Sequence, residues 1–188
     1  MSVIVIEFMT LDGRVTDPDG RGGTTGGGWA FRHGPETVGG DKFRLGSAFD
    51  DGVMLLGRRT WELFAQIWPT RDDPFSRRMN AVPKLVASRT LTDSSASSAW
   101  SNSRVIVGDL IDAVKTEERD VIITGSLSIV HALMAGDVID EYRLLIFPTI
   151  LGAGDRLFPG ADAPTYLECV SADRAGAAVL VRYARPTS

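Results

Sequence analysis

Between Val53 and Leu56 four apolar residues run together, and the chain changes character at Gly57. Arg58, Arg59 and Thr60 follow at once, and Trp61, Leu63 and Phe64 then place apolar side chains at helical spacing. The run reads as a buried strand, and the glycine as a tight turn into a helix. The first amides of such a helix have no partners inside it, and its dipole is positive there. Two guanidiniums beside those amides make the corner a good seat for an anion such as a phosphate. The same residues also fit a plain solvated helix start.

The rest of the chain repeats this alternation. Val3 to Phe8 is apolar and rich in β-branched residues, as a strand covered on both faces is. Thr10-Leu11-Asp12-Gly13 turns the chain, and Asp17 to Gly28 is a long Gly-rich loop. Its GGTTGGG is a weak phosphate-loop candidate, because it lacks the Lys-Ser/Thr ending and no clear strand leads into it. Trp29 and Phe31 close the loop, as a pocket cap or an anchor. Helices are predicted over Glu36 to Asp50, Asp72 to Ala81, Leu110 to Glu118 (N-capped by Asp109) and Ile129 to Ala135. Strands are predicted at Lys84 to Ala87, Val105 to Val107, Asp120 to Thr124 and Tyr142 to Pro148. Thr92 to Ser103 is Ser-rich and reads as a surface connection. Tyr166 to Val170 and Ala177 to Tyr183 read as a closing antiparallel pair around Asp173 to Gly176.

Strand and helix in alternation, with strands left over at the end, predict an α/β fold. Its sheet is mostly parallel, with helices on both faces and an antiparallel C-terminal edge. Three strand ends carry features that suit phosphate: Gly57 to Thr60, Ser88-Arg89-Thr90, and Gly125-Ser126-Leu127-Ser128. Open α/β sheets bind ligands at the carboxyl ends of their strands, so one ligand with several phosphates is the economical explanation. A dinucleotide bearing a 2′-phosphate fits, since Arg and Ser suit that phosphate where a carboxylate would repel it. A Ser-capped helix with no ligand is the plain alternative for the third corner.

Composition removes several classes. The 188 residues, 44% of them hydrophobic, suit a single domain over the whole chain, 1–188. A net charge of −4 with scattered basic residues argues against nucleic acid as partner. No apolar run is long enough to span a bilayer, and no basic region precedes the first strand as in a secretory signal. The single cysteine, Cys169, lies in a strand-like run and reads as packed, with a reducing cytoplasm as its natural compartment. With only His33 and His131, no histidine metal site is expected.

GRRTWE after one apolar strand, VASRTL after the next, and TGS before a helix resemble the signposts of dihydrofolate reductase-like proteins. DEYRLLIFPTILGAGDRLF, Asp140 to Phe158, is more specific, and resembles the reductase domain of the bifunctional riboflavin-biosynthesis deaminase-reductase (the RibD C-terminal domain). The opening strand followed by TLDG matches as well. The resemblance implies a dihydrofolate reductase-like three-layer α/β/α fold and an oxidoreductase using NADPH on a small molecule. The substrate would be a pterin, an aminopyrimidine or a carbonyl compound. By position, Gly57, Arg58, Arg59 and Thr60 would face the pyrophosphate and 2′-phosphate. Ser88 and Arg89, with Thr90 beside them, would hold the 2′-phosphate and adenosine. Gly125 to Ser128 would cradle the pyrophosphate, and Ile6 with Thr10 to Gly13 would sit near the nicotinamide. The proton donor would be Asp41, sixteen residues before Gly57, or Asp12 in the turn. The resemblance, with the apolar late strands Tyr142 to Ile150, also implies a homodimer.

Overall fold

The structure, a computed structural model, describes residues 1–42, 48–160 and 163–186, without the side chains of 40–42. The chain forms two compact units, each drawn from two separate stretches: Met1–Ile4 with Leu45–Ile139, and Val5–Arg44 with Asp140–Ser188.

The first unit is built on parallel strands. β2 (Val53–Gly57) lies between β3 (Lys84–Ala87) and β5 (Val121–Thr124), and β4 (Ser103–Val105) continues beyond β3. Met54, Leu55, Leu56, Ile122 and Ile123 are fully buried, as continuous apolar strands between helical layers must be. The helices are α2 (Ala48–Asp51), α3 (Arg58–Ile67), α4 (Pro74–Ala81), α5 (Asp93–Ala99), α6 (Leu110–Lys115) and α7 (Leu127–Ala135). In α3 one face turns inward through Trp61, whose Nε1 donates to Ser103 Oγ at 3.0 Å. Burying a side chain of that size stabilises by roughly 1.5–3 kcal/mol.

The second unit is antiparallel. β6 (Glu141–Phe147) pairs with β8 (Ala178–Ala184), and β8 with β7 (Glu168–Ala175). β1 (Val3–Thr10), whose first two residues count with the first unit, and α1 (Pro35–Lys42) complete the set of long elements. Its core gathers Trp29, Val38, Leu145, Phe147 and Leu180, with Phe8 and Leu151 packed against them. Phe8 and Trp29 both meet Phe147 edge to face at 5.3 Å.

The expected parallel sheet with helices and antiparallel late strands is present, and four differences from the sequence reading have physical causes. Thr92 to Ser103 is not a bare connection: α5 forms there because Thr92 and Ser95 make a reciprocal capping box and Ala96 is buried. β4 falls two residues earlier than expected, which leaves Val107 92% exposed. The closing hairpin turns at Gly176-Ala177, so Asp173 and Arg174 are strand residues. Cys169 is exposed, because seven of the eight positions of β7 are not buried. The predicted helix from Glu36 to Asp50 corresponds to α1 and α2, with 43–47 outside the described residues.

Candidate functional site

All three predicted corners lie in the first unit, and the parallel register brings them together. Gly57 at the end of β2 is level with Ala87 at the end of β3, and Leu55 with Ile123 near the end of β5. Ser88 and Gly125 therefore leave the sheet on either side of Gly57.

Ser126 locks two of these corners to each other. Its Oγ accepts from the Gly57 amide at 2.7 Å and donates to Thr60 Oγ1 at 2.8 Å. The approach is close: a Cβ on Gly57 would stand 2.6 Å from Ser126 Oγ, and one on Gly125 3.0 Å from Thr60 Cγ2. Gly125 also has φ +85°, a backbone conformation that favours glycine. Ser126 itself is left-handed, with φ 67° and ψ 70°. Its hydroxyl thus holds the neighbouring strand end and does not cap its own helix.

The consequence is electrostatic. Neither α3 nor α7 has a side-chain acceptor at its amino end. In the same unit α4, α5 and α6 are capped by Asp73, Thr92 and Asp109. The opening amides of Arg58 to Thr60 and of Leu127-Ser128 are left without side-chain acceptors, at the positive ends of two helix dipoles. Arg58 reaches Thr90 Oγ1 at 3.4 Å and Glu62 at 3.9 Å, with about half its side chain exposed. Arg59 and Arg89 are exposed, and their side chains make no hydrogen bond or ion pair among the described residues. Ser88 Oγ accepts from the Thr90 and Leu91 amides at 3.2 and 3.1 Å, which shapes the turn, and lies 3.5 Å from Thr90 Oγ1. Helix-opening amides without side-chain acceptors, two guanidiniums unpaired among the described residues and nearby hydroxyls can hold phosphate groups.

The predicted residues of the second unit are differently employed. Ile6 is buried in β1, and Thr10, fully buried at its end, donates from Oγ1 to Asp12 Oδ1 at 2.6 Å. Gly13 has φ +79° and closes the turn by donating to the Thr10 carbonyl. Asp12 also accepts from the Leu151 amide at 3.1 Å and the Gly152 amide at 2.9 Å, with Arg14 Nε 3.7 Å away. The Thr10 hydroxyl first, then these amides, hold the Asp12 carboxyl far below the usual carboxylate range. A carboxylate kept ionised in this way is a poor proton donor: Asp12 ties the TLDG turn to the LGAG loop. Asp41 lies on the backbone of α1, and its side chain is outside the described residues.

The Gly-rich loop is likewise occupied by a carboxylate of its own. Asp17 accepts from the Gly22 amide at 2.7 Å, the Thr24 amide at 3.0 Å and the Thr24 hydroxyl at 2.9 Å. The amides that a phosphate would need already face Asp17. Trp29 anchors the loop, donating from Nε1 to the Thr16 carbonyl at 2.8 Å, while Phe31 is 56% exposed. Sequence reasoning missed Arg14, which donates to the Gly154 carbonyl at 2.6 Å, and the contact of His33 Nε2 with Thr149 Oγ1 at 2.8 Å. Neither pair is close in sequence, so no local signal announces them.

A parallel sheet with open helix ends at adjacent carboxyl termini, joined in sequence to antiparallel late strands, defines a dihydrofolate reductase-like α/β protein. The chain belongs to the RibD C-terminal domain family, whose profile matches residues 1–181. Among curated proteins it is similar to the uncharacterized protein YyaP of Bacillus subtilis (strain 168), 26% identical over 111 residues. That match covers 56% of this chain and 58% of YyaP. Among solved structures it resembles a protein from Shewanella sp. PV-4 described as belonging to riboflavin biosynthesis, with TM-score 0.74, 20% identity and all of both chains covered. It also resembles a pyrimidine reductase-like protein from Corynebacterium diphtheriae, with TM-score 0.66, 14% identity and 100% and 92% of the two chains covered. RibD of Acinetobacter baumannii matches with TM-score 0.63 and 15% identity over 99% of this chain and 58% of its own. At these identities the likeness is one of fold.

Proposed function

We propose that the chain is an NADPH-dependent reductase of a small heterocyclic or carbonyl substrate. The best-supported class is a pterin or an aminopyrimidine of the kind a riboflavin-biosynthesis reductase takes. One observation carries the reading: two helix starts without side-chain caps, and Arg59 and Arg89 side chains unpaired among the described residues, stand at adjacent strand ends in a family of reductase-type proteins. The residues fit the cofactor's phosphates. Gly125, Ser126, Leu127 and Ser128 would take the pyrophosphate through backbone amides, beside Gly57 and Thr60. Arg58, Arg59, Ser88, Arg89 and Thr90 would take the 2′-phosphate. Ile6, Thr10 and Gly13 are the proposed nicotinamide neighbours.

When bound, a nicotinamide cofactor supplies hydride to a polarised C=N or C=O bond. The chain's share is to bind, to orient and to furnish a proton. Asp41 is the proposed donor, and Asp12 is proposed to position the loop it holds. A second reading, an NADP(H)-binding protein without turnover, is favoured by one fact: Asp12, the other candidate acid, is held ionised. We further propose a homodimer. β6 is paired along its length with β8, so the exposed β7, with Val170, is the better strand to meet a second copy. The exposed free Cys169 suits a reducing cytoplasm.

Calorimetric titration with NADPH and NADH, followed by NADPH oxidation over a panel of pterins and pyrimidines, tests the reading. Micromolar NADPH binding, much weaker NADH binding and turnover are expected. Binding without turnover would select the second reading, and binding of neither cofactor would overturn both.

A further inference from the structure

The amino-terminal end of β3 carries a buried amine that the cofactor corners do not use. Lys84 is 1% exposed. Its Nζ donates to the Asn80 carbonyl at 2.7 Å and the Ser101 carbonyl at 3.1 Å, and lies 4.2 Å from the centre of the Trp100 ring. Asn80 in turn accepts from Trp100 Nε1 at 2.8 Å and donates to the Trp68 carbonyl at 3.0 Å. One amine thus joins the last turn of α4, the α5–β4 connection and the first residue of β3. A surface cleft of about 640 Å³ lies alongside, lined in part by Asn80, Ala81, Ser101 and Asn102.

We propose that Lys84 is a proton-operated clasp, a buried amine that holds these three segments in a fold that becomes more stable when the amine gives up its proton. The charged groups on the elements around it do not balance an ammonium there. Asp50 is paired with Arg78 at 2.6 Å, and Asp72 with Arg77 at 3.1 Å. Asp73 caps α4, and Asp93 accepts from the Val105 amide at 2.6 Å. Arg71 and Arg104 are exposed, and β2 brings only Met54 level with Lys84. The Trp100 face favours the charged form only weakly, whereas burying an ion costs considerably more, so burial wins.

Burial accordingly lowers the amine from 10.5 to about 7. The folded pKa is below the unfolded one, so between about 7 and 10.5 the unfolded chain binds more protons. Stability therefore rises with pH across that window. The neutral amine keeps two N–H donors for its two carbonyls, so it gives up the weaker attraction of the Trp100 face but neither hydrogen bond while shedding the cost of a buried charge.

The chain has three lysines, which makes the test direct. Side-chain NMR of lysine ¹³Cε across pH is run on wild type, Lys84→Met and Lys84→Arg. One resonance, absent in both variants, is expected to titrate near neutrality in wild type. Amide exchange over 80–87 and 100–105, corrected for intrinsic rates, is expected to slow with rising pH in wild type, by about tenfold per unit at most. Lys84→Arg stays charged and should show no such slowing. A Lys84 resonance with an ordinary pKa, or equal slopes in wild type and Lys84→Arg, overturns the proposal. If Lys84→Met does not fold, the wild-type titration and Lys84→Arg still decide it.

Discussion

Each of the two units offers chain turns rich in backbone amides, and they use those amides in opposite ways. In the second unit the amides are spoken for: Asp12 takes those of Leu151 and Gly152, and Asp17 those of Gly22 and Thr24. In the first unit Ser126 spends its hydroxyl on Gly57 and Thr60, and the openings of α3 and α7 have no side-chain acceptor. A glycine-rich sequence is therefore not a ligand site in itself. What matters is whether an internal carboxylate already answers the amides. The conspicuous GGTTGGG is closed on itself, and in the less conspicuous TGSLS the helix opening at Leu127 and Ser128 has no side-chain acceptor.

The sharpest attack on this contrast is Arg89→Ala. If the open corner holds a 2′-phosphate, NADPH binding should weaken by roughly 1.5–3 kcal/mol, the worth of a lost charge-assisted hydrogen bond, with NADH nearly unchanged. Equal losses, measured by calorimetry, would remove Arg89 from the site. Gly57→Ala comes next. Its methyl would press on Ser126, so a stability loss of about 1–3 kcal/mol is expected in denaturant unfolding, together with weaker cofactor binding. An unchanged midpoint would mean that the α7 opening can shift at little cost.

Acid separates the units in another way. For Asp12 the Thr10 hydroxyl and the amides outweigh burial. For Asp17 burial, the largest single influence, is outweighed by the bonds from Thr24, Gly22 and Gly20. Both folded pKa values are depressed, so the stability these carboxylates add is present above about 4 and fades as pH falls through the folded values. Amide exchange over 10–28 and 149–157 should quicken on acidification from pH 5 while the Gly57–Ser126 corner holds. Simultaneous loosening would sink the distinction. The smallest effect is that of Ser126→Ala. It leaves the Gly57 amide without its acceptor, and about 1 kcal/mol of stability should go. A larger loss of cofactor affinity than of stability would show that the lock also shapes the cradle.

Much of this was legible in the chain. The parallel strands were readable because both of their faces are buried, which leaves unbroken apolar runs such as VMLLG and VIIT. Two of the corners were readable because strand, turn and helix follow one another directly, and the third because Ser88-Arg89-Thr90 ends an apolar strand. The α5 helix was not, because its Ser-rich surface face resembles a linker, and only the fold shows Ala96 buried and the box between Thr92 and Ser95 closed. The bonds of Asp12 could not be read from sequence either, since its partners at Leu151 and Gly152 lie far along the chain.

Local order thus determined which segments become strands and helices, and which residue types stand at the strand ends. Hydrophobic periodicity and chain-adjacent turns need no distant partner to be read. The tertiary structure decided which hydrogen-bonding groups are already satisfied. It gave Ser126 to a neighbouring strand, Asp12 and Asp17 to loops, and Lys84 a buried place among carbonyls. A group's protonation and its availability to a ligand depend on what surrounds it in space, and those surroundings are assembled only when distant stretches of chain meet.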